Sequence, residues 1–241
     1  MNCHALPEPG TIEVWAFGLD EPPERIEALV NSLPDQEKSR LDRGIDPVIG
    51  IRSTVARAGL RRILASYLDW TPQEIPLTEG KHGKPELVGV DLGFNITHSE
   101  SYAMAAICRG SRIGIDLETL RPETPIEELA RRCFSASEYR QWSHIAEQDR
   151  LSSFFHLWTQ KEAFIKAHGG GMTIPLQDFD CQVDPSGPGG LVESRIEGDE
   201  SGRWCIRAGS RHQGTRYSIA CDSIECCIVD RDPLEVGLSR W

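Results

Sequence analysis

Apolar and polar residues alternate along Ile12-Glu13-Val14-Trp15-Ala16-Phe17, the period of a β-strand, and Asp20-Glu21-Pro22-Pro23 closes it as a turn. Helical patterns follow at 23–32 and 35–43. A stronger one covers 51–69, where Ile51, Val55, Leu60, Ile63, Leu64 and Tyr67 recur at helical spacing. Gly80, Gly83 and Pro85 mark a loop. Phe94 and Ile96 then alternate with Asn95 and Thr97, and 102–107 and 113–118 read as two further strands. The turn Arg109-Gly110-Ser111 makes this block an antiparallel meander. The theme then recurs. Helices are predicted near 126–132, 136–146 and 150–168, the last stopped by Gly169-Gly170-Gly171. Strands are predicted near 177–183, 191–196, 203–208 and 216–222, and the Pro- and Gly-rich loop 184–190 reads as exposed and mobile. Helices followed by strands, twice over, predict an α+β protein of two similar halves, each a small antiparallel sheet packed with helices. The join falls near 115–125, giving halves 1–115 and 116–241, with no repeat visible in the sequence itself.

Composition narrows the class. The chain has 241 residues, 39% hydrophobic and 26% charged, which suits a folded soluble protein of one large domain or two small ones. Asp and Glu number 37 against 26 Lys and Arg, a net charge of −11 that disfavours a whole-surface nucleic-acid binder. No run of apolar residues is long enough for a membrane span, and Met1–Pro7 lacks the features of a signal peptide, so a cytoplasmic protein is expected. The eight cysteines contain no C-x2-C pair, and the seven histidines show no H-E-x-x-H spacing. Buried free thiols are therefore expected rather than zinc or disulfides.

Three constellations could carry chemistry. On a strand through 113–118, Ile113, Ile115 and Leu117 face one way, while Gly114, Asp116 and Glu118 face the other. Two carboxylates aimed at one volume repel unless a cation lies between them, and such oxygen ligands suit Mg²⁺; the plainer reading is two solvated acids on an edge strand. On the helix at 150–168, Phe154, Leu157, Trp158, Phe164 and Ile165 form an apolar arc with Glu162 and Lys166, four apart, at its edge. That pair is either a surface ion pair or a base and a charge stabiliser beside an anionic substrate. Residues 38–62 carry seven basic side chains against two acidic ones, consistent with a locally held anion, although the arginines do not form one stripe. Ser135-x-x-Glu138 fits a capping box. Signatures of serine hydrolases, P-loops and dinucleotide-binding folds are absent.

Taken in order, five segments resemble the Sfp-type 4′-phosphopantetheinyl transferases. They are Gly83-Lys84-Pro85, Phe94-Asn95-Ile96-Thr97-His98-Ser99, Ile113-Gly114-Ile115-Asp116-Leu117-Glu118, Arg131-Arg132-Cys133-Phe134-Ser135-x-x-Glu138 and Trp158-Thr159-Gln160-Lys161-Glu162-Ala163-Phe164-Ile165-Lys166. The match spans about residues 33–183. The resemblance implies two pseudo-two-fold-related halves with the active site in the cleft between them. It implies transfer of the 4′-phosphopantetheine arm of coenzyme A to a serine of an apo acyl or peptidyl carrier protein, releasing adenosine 3′,5′-bisphosphate. By the same resemblance Asp116 and Glu118 hold Mg²⁺ (or Mn²⁺), and Glu162 completes that site and serves as the base. Lys166 offsets charge on the transferred phosphoryl group, and Lys84, Thr97 and His98 bind coenzyme A phosphates. Lys38, Arg40, Arg52 and Ser53 are the expected N-terminal coenzyme A contacts, Arg40 foremost. Two features depart from the family pattern: Glu100 stands where many relatives have a small residue, and Gly44 replaces a common aromatic.

The expectation is a monomeric, cytoplasmic transferase of fatty-acid or secondary metabolism, with no nucleic-acid or membrane partner. Its alternatives are a metal-dependent nuclease or phosphodiesterase, for which D-x-E and a downstream Lys are also suitable ingredients, and a non-catalytic carrier-binding relative.

Overall fold

A computed structural model describes residues 4–38, 46–80, 83–198, 201–212 and 214–241. In chain order the main elements are β1 (Thr11–Gly18), α1 (Pro23–Asn31), α2 (Asp35–Lys38), α3 (Pro47–Tyr67), β2 (Leu77–Glu79), β3 (Pro85–Leu87), β4 (Gly93–Ser99) and β5 (Tyr102–Cys108). They continue with β6 (Ile113–Thr119), α4 (Ile126–Cys133), α5 (Ala136–Ser143), α6 (Glu147–His168), β7 (Phe179–Cys181), β8 (Leu191–Ser194), β9 (Cys205–Gly209), β10 (Thr215–Cys221) and β11 (Cys227–Arg231). This is the α+β architecture of small sheets and helices expected from the pattern.

The duplication lies in the topology. A strand, three helices with the third the longest, a short two-stranded ribbon and a hairpin make β1 to β5, and the same series makes β6 to β10. The sheets repeat the same order, β1-β5-β4 and β6-β10-β9. The repeat therefore changes over at 109–112, and a cut at 115/116 falls inside β6. The C-terminal residues do not stay with the second half. β11 pairs in parallel with β1, and Val236 and Leu238 enter the core beneath the first sheet. The expected meander also breaks: β4 and β5 pair antiparallel, but β6 leaves them to pair with β10 in the second sheet.

Four layers result. On β1 and β5, Trp15, Phe17, Ala103, Ala105 and Ile107 pack under α3. The alternate residues Ile12, Val14, Met104 and Ala106 meet Ile113, Ile115, Leu117 and Ile219 of the second sheet. The far face of that sheet is covered by α6, where Phe154, Phe155, Leu157, Ala163 and Phe164 form a third core with Ile206 and Ala220. Strands buried on both faces explain why β5 reads as an almost unbroken apolar run. A polar cluster locks the C-terminus in place. Arg231 on β11 donates to both carboxylate oxygens of Glu13 (2.9 and 2.7 Å), and Tyr67 of α3 donates to the same carboxylate.

Asp46 caps α3 by accepting from the Val48 amide at 2.8 Å. Ser135 and Glu138 form the predicted capping box on α5. Glu138 does more than cap, because its fully buried carboxylate also pairs with fully buried Lys161 of α6 at 2.8 Å. Lys161 further donates to the carbonyls of Leu176 and Phe179. The loop 184–190, expected to be mobile, is held by bonds from the Gly189 and Gly190 amides to Gln182 and Gln160 and from the Ala208 amide to the Pro188 carbonyl. All seven cysteines among the described residues are free thiols, six of them buried or half-buried.

Candidate active site

The two sheets meet along the edges of β4 and β6, which run in the same direction. Side chains on β4 bond backbone amides on β6 at a constant offset: Asn95 to Ile115 (2.8 Å), Thr97 to Leu117 (3.3 Å) and Ser99 to Thr119 (3.0 Å). Alternate polar residues on one strand thus replace the ladder that a paired strand would supply. On β6 itself, Gly114, Asp116 and Glu118 face α6 rather than solvent. A Cβ at Gly114 would stand 2.1 Å from the Ala163 carbonyl oxygen and 2.5 Å from the Ala167 amide nitrogen, so glycine is what lets α6 lie against the strand.

Because α6 is enclosed by the sheet on one side and by α4, α5 and β7 on others, its apolar surface is wider than a single arc. Trp158, Glu162 and Lys166, each four residues apart, remain half-exposed between buried neighbours. This line brings Glu162 and Lys166 to Asp116. Lys166 Nζ donates to Asp116 Oδ1 at 2.6 Å and to the Ile115 carbonyl at 3.2 Å. Asp116 is only 5% exposed, and its Oδ2 is buried with no hydrogen-bond partner. Glu118 accepts from Arg121 at 3.2 Å, and the Trp158 indole lies beside it. Among the described residues Glu162 makes no hydrogen bond.

Burial raises all three carboxyl pKa values. For Asp116 it outweighs the pull of Lys166. For Glu118, burial and then the neighbouring Asp116 charge push the value to about 7. Glu162 is raised by the same two causes in the same order. Three crowded carboxylates, one with an oxygen lacking any partner, fit a hard divalent cation such as Mg²⁺. Among the described residues no three His, Cys, Asp or Glu side chains are already drawn into a cage. Mg²⁺ is ordinarily held by one or two carboxylates with water and substrate oxygens, so the donor set suits it.

Two clefts lie along the seam. One, of about 270 Å³, is lined by Lys84, Asn95, Ile96, Ile165 and Lys166. There Lys84 Nζ donates to the Ile113 and Lys166 carbonyls (2.7 and 3.0 Å), joining the loop before β3 to β6 and α6, and burial lowers its pKa to about 8. The other, of about 340 Å³, is lined by Ile49, Arg52, His98, Glu100, Glu118 and Arg121. Arg52 is held by Asp20 through two bonds (2.7 and 2.9 Å), with Glu100 3.9 Å away. Partial withdrawal from water and then the Lys166 charge lower the pKa of His98. Glu100 occupies the left-handed region at φ 51°, the one such non-glycine residue among those described.

The remaining expected contacts fall elsewhere. Thr97 lies within the seam. Ser53 is exposed on α3 and lines neither cleft, and Lys38 of α2 pairs with Asp35 at 3.0 Å. Arg40 lies outside the described residues. Of the basic segment's described residues, Arg57 and Arg61 turn inward and converge on Glu37, and Arg61 also donates to the Pro72 and Ile75 carbonyls. Burial would raise Glu37, but the bonds from those two arginines overcome it and bring its pKa to about 2. Two residues beside Glu118, of which Arg121 alone lines a cleft, are not marked by the pattern. Arg121 lies just beyond the end of β6, and Trp158 reads as core by periodicity although it is one turn before Glu162.

Residues 112–222, from the turn before β6 to just past β10, match the family model described as the 4′-phosphopantetheinyl transferase superfamily. The chain is 34% identical over 184 residues to the 4′-phosphopantetheinyl transferase HetI of Nostoc sp., covering 75% of this chain and 77% of that protein. It is 26% identical over 179 residues to the 4′-phosphopantetheinyl transferase Sfp of Bacillus subtilis, covering 73% and 79%. The crystal structure of Thermotoga maritima holo-[acyl-carrier-protein] synthase aligns with 46% of this chain and 62% of that one, at 21% identity and a TM-score of 0.35. The chain belongs to the 4′-phosphopantetheinyl transferase superfamily.

Proposed function

We propose that the chain moves the 4′-phosphopantetheine of coenzyme A to a serine hydroxyl of an apo acyl or peptidyl carrier protein and releases adenosine 3′,5′-bisphosphate. The observation that carries this reading is buried Asp116, with Oδ2 unpartnered and Oδ1 on Lys166, facing Glu162 and Glu118 in a chain of this family. Asp116 and Glu118 would hold Mg²⁺, with Glu162 joining directly or through water. A bound Mg²⁺ supplies positive charge against the pyrophosphate oxygens of coenzyme A.

The chain's own groups supply the rest. Phosphoryl transfer depends on positioning and charge compensation more than on covalent chemistry. Glu162 takes the proton of the carrier serine as its oxygen attacks the phosphorus bearing the pantetheine arm. A raised pKa makes Glu162 a stronger base than a solvated carboxylate. The bond from that phosphorus to the oxygen of the nucleotide phosphate breaks. Lys166 stands beside the growing charge, anchored on Asp116 and the Ile115 carbonyl. Arg52 and His98 border the cleft beside Glu118, and Lys84 borders the one beside Lys166, where the phosphates of coenzyme A would lie.

Intact-mass measurement of several apo-carrier proteins incubated with the chain, coenzyme A and Mg²⁺ tests the reading. A gain of one phosphopantetheine, abolished by EDTA, is the expected result. No gain on any carrier, with coenzyme A bound, would leave a binding-only relative in its place.

A further inference from the structure

The chain leaving β10 turns through 222–226 and enters β11, crossing from the second sheet to the free edge of β1. On the way it passes the start of β9. Cys226 Sγ lies 2.7 Å from Cys205 Sγ, well inside the separation of two sulfurs in ordinary contact. Neither backbone is free to drift. Cys205 is the first residue of β9 and stands opposite Cys221 in the β9–β10 ladder. Next to Cys226, the Cys227 amide donates to the Gly10 carbonyl at 2.9 Å. Cys226 is half-buried against the inter-sheet core, whereas Cys227 is exposed.

We infer that Cys205 and Cys226 are a reversible dithiol–disulfide pair, a modification site that clips β9 of the second sheet to the segment entering β11 of the first. The donors differ in character. The contact between the two sulfurs, and then the Arg207 charge, lower the Cys205 thiol against its burial, and the same contact raises Cys226. One member of the pair is thus readily a thiolate with a thiol already beside it. With a peroxide as oxidant, the thiolate sulfur attacks the O–O bond and becomes a sulfenic acid as water leaves. The second thiol then attacks that sulfur, the S–S bond forms and a second water leaves. Two thiols lose two electrons and two protons, and one hydrogen peroxide becomes two waters. A dithiol reductant reverses the reaction by exchange.

The site lies at the end of β10 away from Arg216 and Glu118, so the inference stands apart from the transfer reaction. The test is peptide mapping of the intact chain after mild hydrogen peroxide, with free thiols alkylated before trypsin. Trypsin releases Cys205 in 204–207 and Cys226 in 217–231. The expected product is these two peptides joined, a loss of about 2 Da from the whole chain that dithiothreitol restores. The joined peptide persists in Cys221→Ser and Cys227→Ser and disappears in Cys226→Ser. The two cysteines are 21 residues apart, so oxidation should also raise the melting midpoint by roughly 6–12 °C. Alkylation of both Cys205 and Cys226 after peroxide, or persistence of the joined peptide in Cys226→Ser, would overturn the assignment.

Discussion

Gly114→Ala isolates the contact on which the site depends. The added Cβ would sit 2.1 Å from the Ala163 carbonyl oxygen, 2.5 Å from the Ala167 amide nitrogen and 3.0 Å from Lys166 Cβ. Ordinary contact needs more than 3 Å, so the strand and helix must separate by about 1 Å, and two of the three opposing atoms are backbone. The helix cannot simply retreat, because its other sides pack on α4, α5 and β7. Overpacking of this kind costs about 1–3 kcal/mol, and rigid opposition places this case at the upper end. A smaller unfolded-state entropy in alanine returns about 0.5–1 kcal/mol, leaving about 2 kcal/mol of destabilisation. For a chain of this size that lowers the melting midpoint by about 4–8 °C. Calorimetry gives the stability change, and time courses of carrier mass gain below the new midpoint give the effect on turnover. Turnover should fall more than stability implies, because Asp116 and Lys166, 2.6 Å apart, are carried by the two elements forced apart. A midpoint within about 1 °C of the parent together with full turnover would refute the argument that Gly114 sets the helix position.

Four further outcomes follow from the same geometry. Glu162→Gln should lower turnover by about 10²–10⁴ while coenzyme A affinity by calorimetric titration changes little; a loss below tenfold would move the base elsewhere. Lys166→Ala should lower kcat more than it raises KM for coenzyme A, whereas lost affinity at unchanged kcat would make Lys166 a binding residue only. The raised carboxyl values make the metal-free fold bind protons more tightly than the unfolded chain, so the stability from Glu118 is present below pH 4.5 and is lost as pH rises through about 7. The unfolding free energy from urea titration in EDTA should therefore decline across that window by on the order of 3 kcal/mol, and added Mg²⁺ should recover the loss near pH 8. Lys161→Met leaves Glu138 buried without its cation and should cost about 3–5 kcal/mol in urea unfolding, with partial recovery in the double variant carrying Glu138→Gln.

Much was legible from local pattern. Alternation marked β1 and β4 to β6, helical spacing marked α3 and α6, and Gly169-Gly170-Gly171 ended α6, where Gly169 takes the left-handed cap at φ 85°. The same alternation separated Ile113, Ile115 and Leu117 from Gly114, Asp116 and Glu118, since side chains on a strand point to opposite faces whatever packs on them. The i,i+4 spacing placed Glu162 and Lys166 together. Local rules could go no further than which residues share a face.

What lay against each face was a matter of tertiary structure. Nothing local says that β6 leaves the hairpin to found a second sheet, or that β11 returns across more than two hundred residues to pair with β1. Nor does it reveal that Asn95, Thr97 and Ser99 satisfy the amides of β6, that Arg57 and Arg61 turn to Glu37, or that Lys161 is buried on Glu138. Charge and hydrogen-bonding capacity are properties of a residue, but the partner that answers them is chosen by packing between segments far apart in the chain. The acids of β6 could equally have been solvated on an edge. They became a crowded, proton-hungry group because a glycine lets one helix close over them.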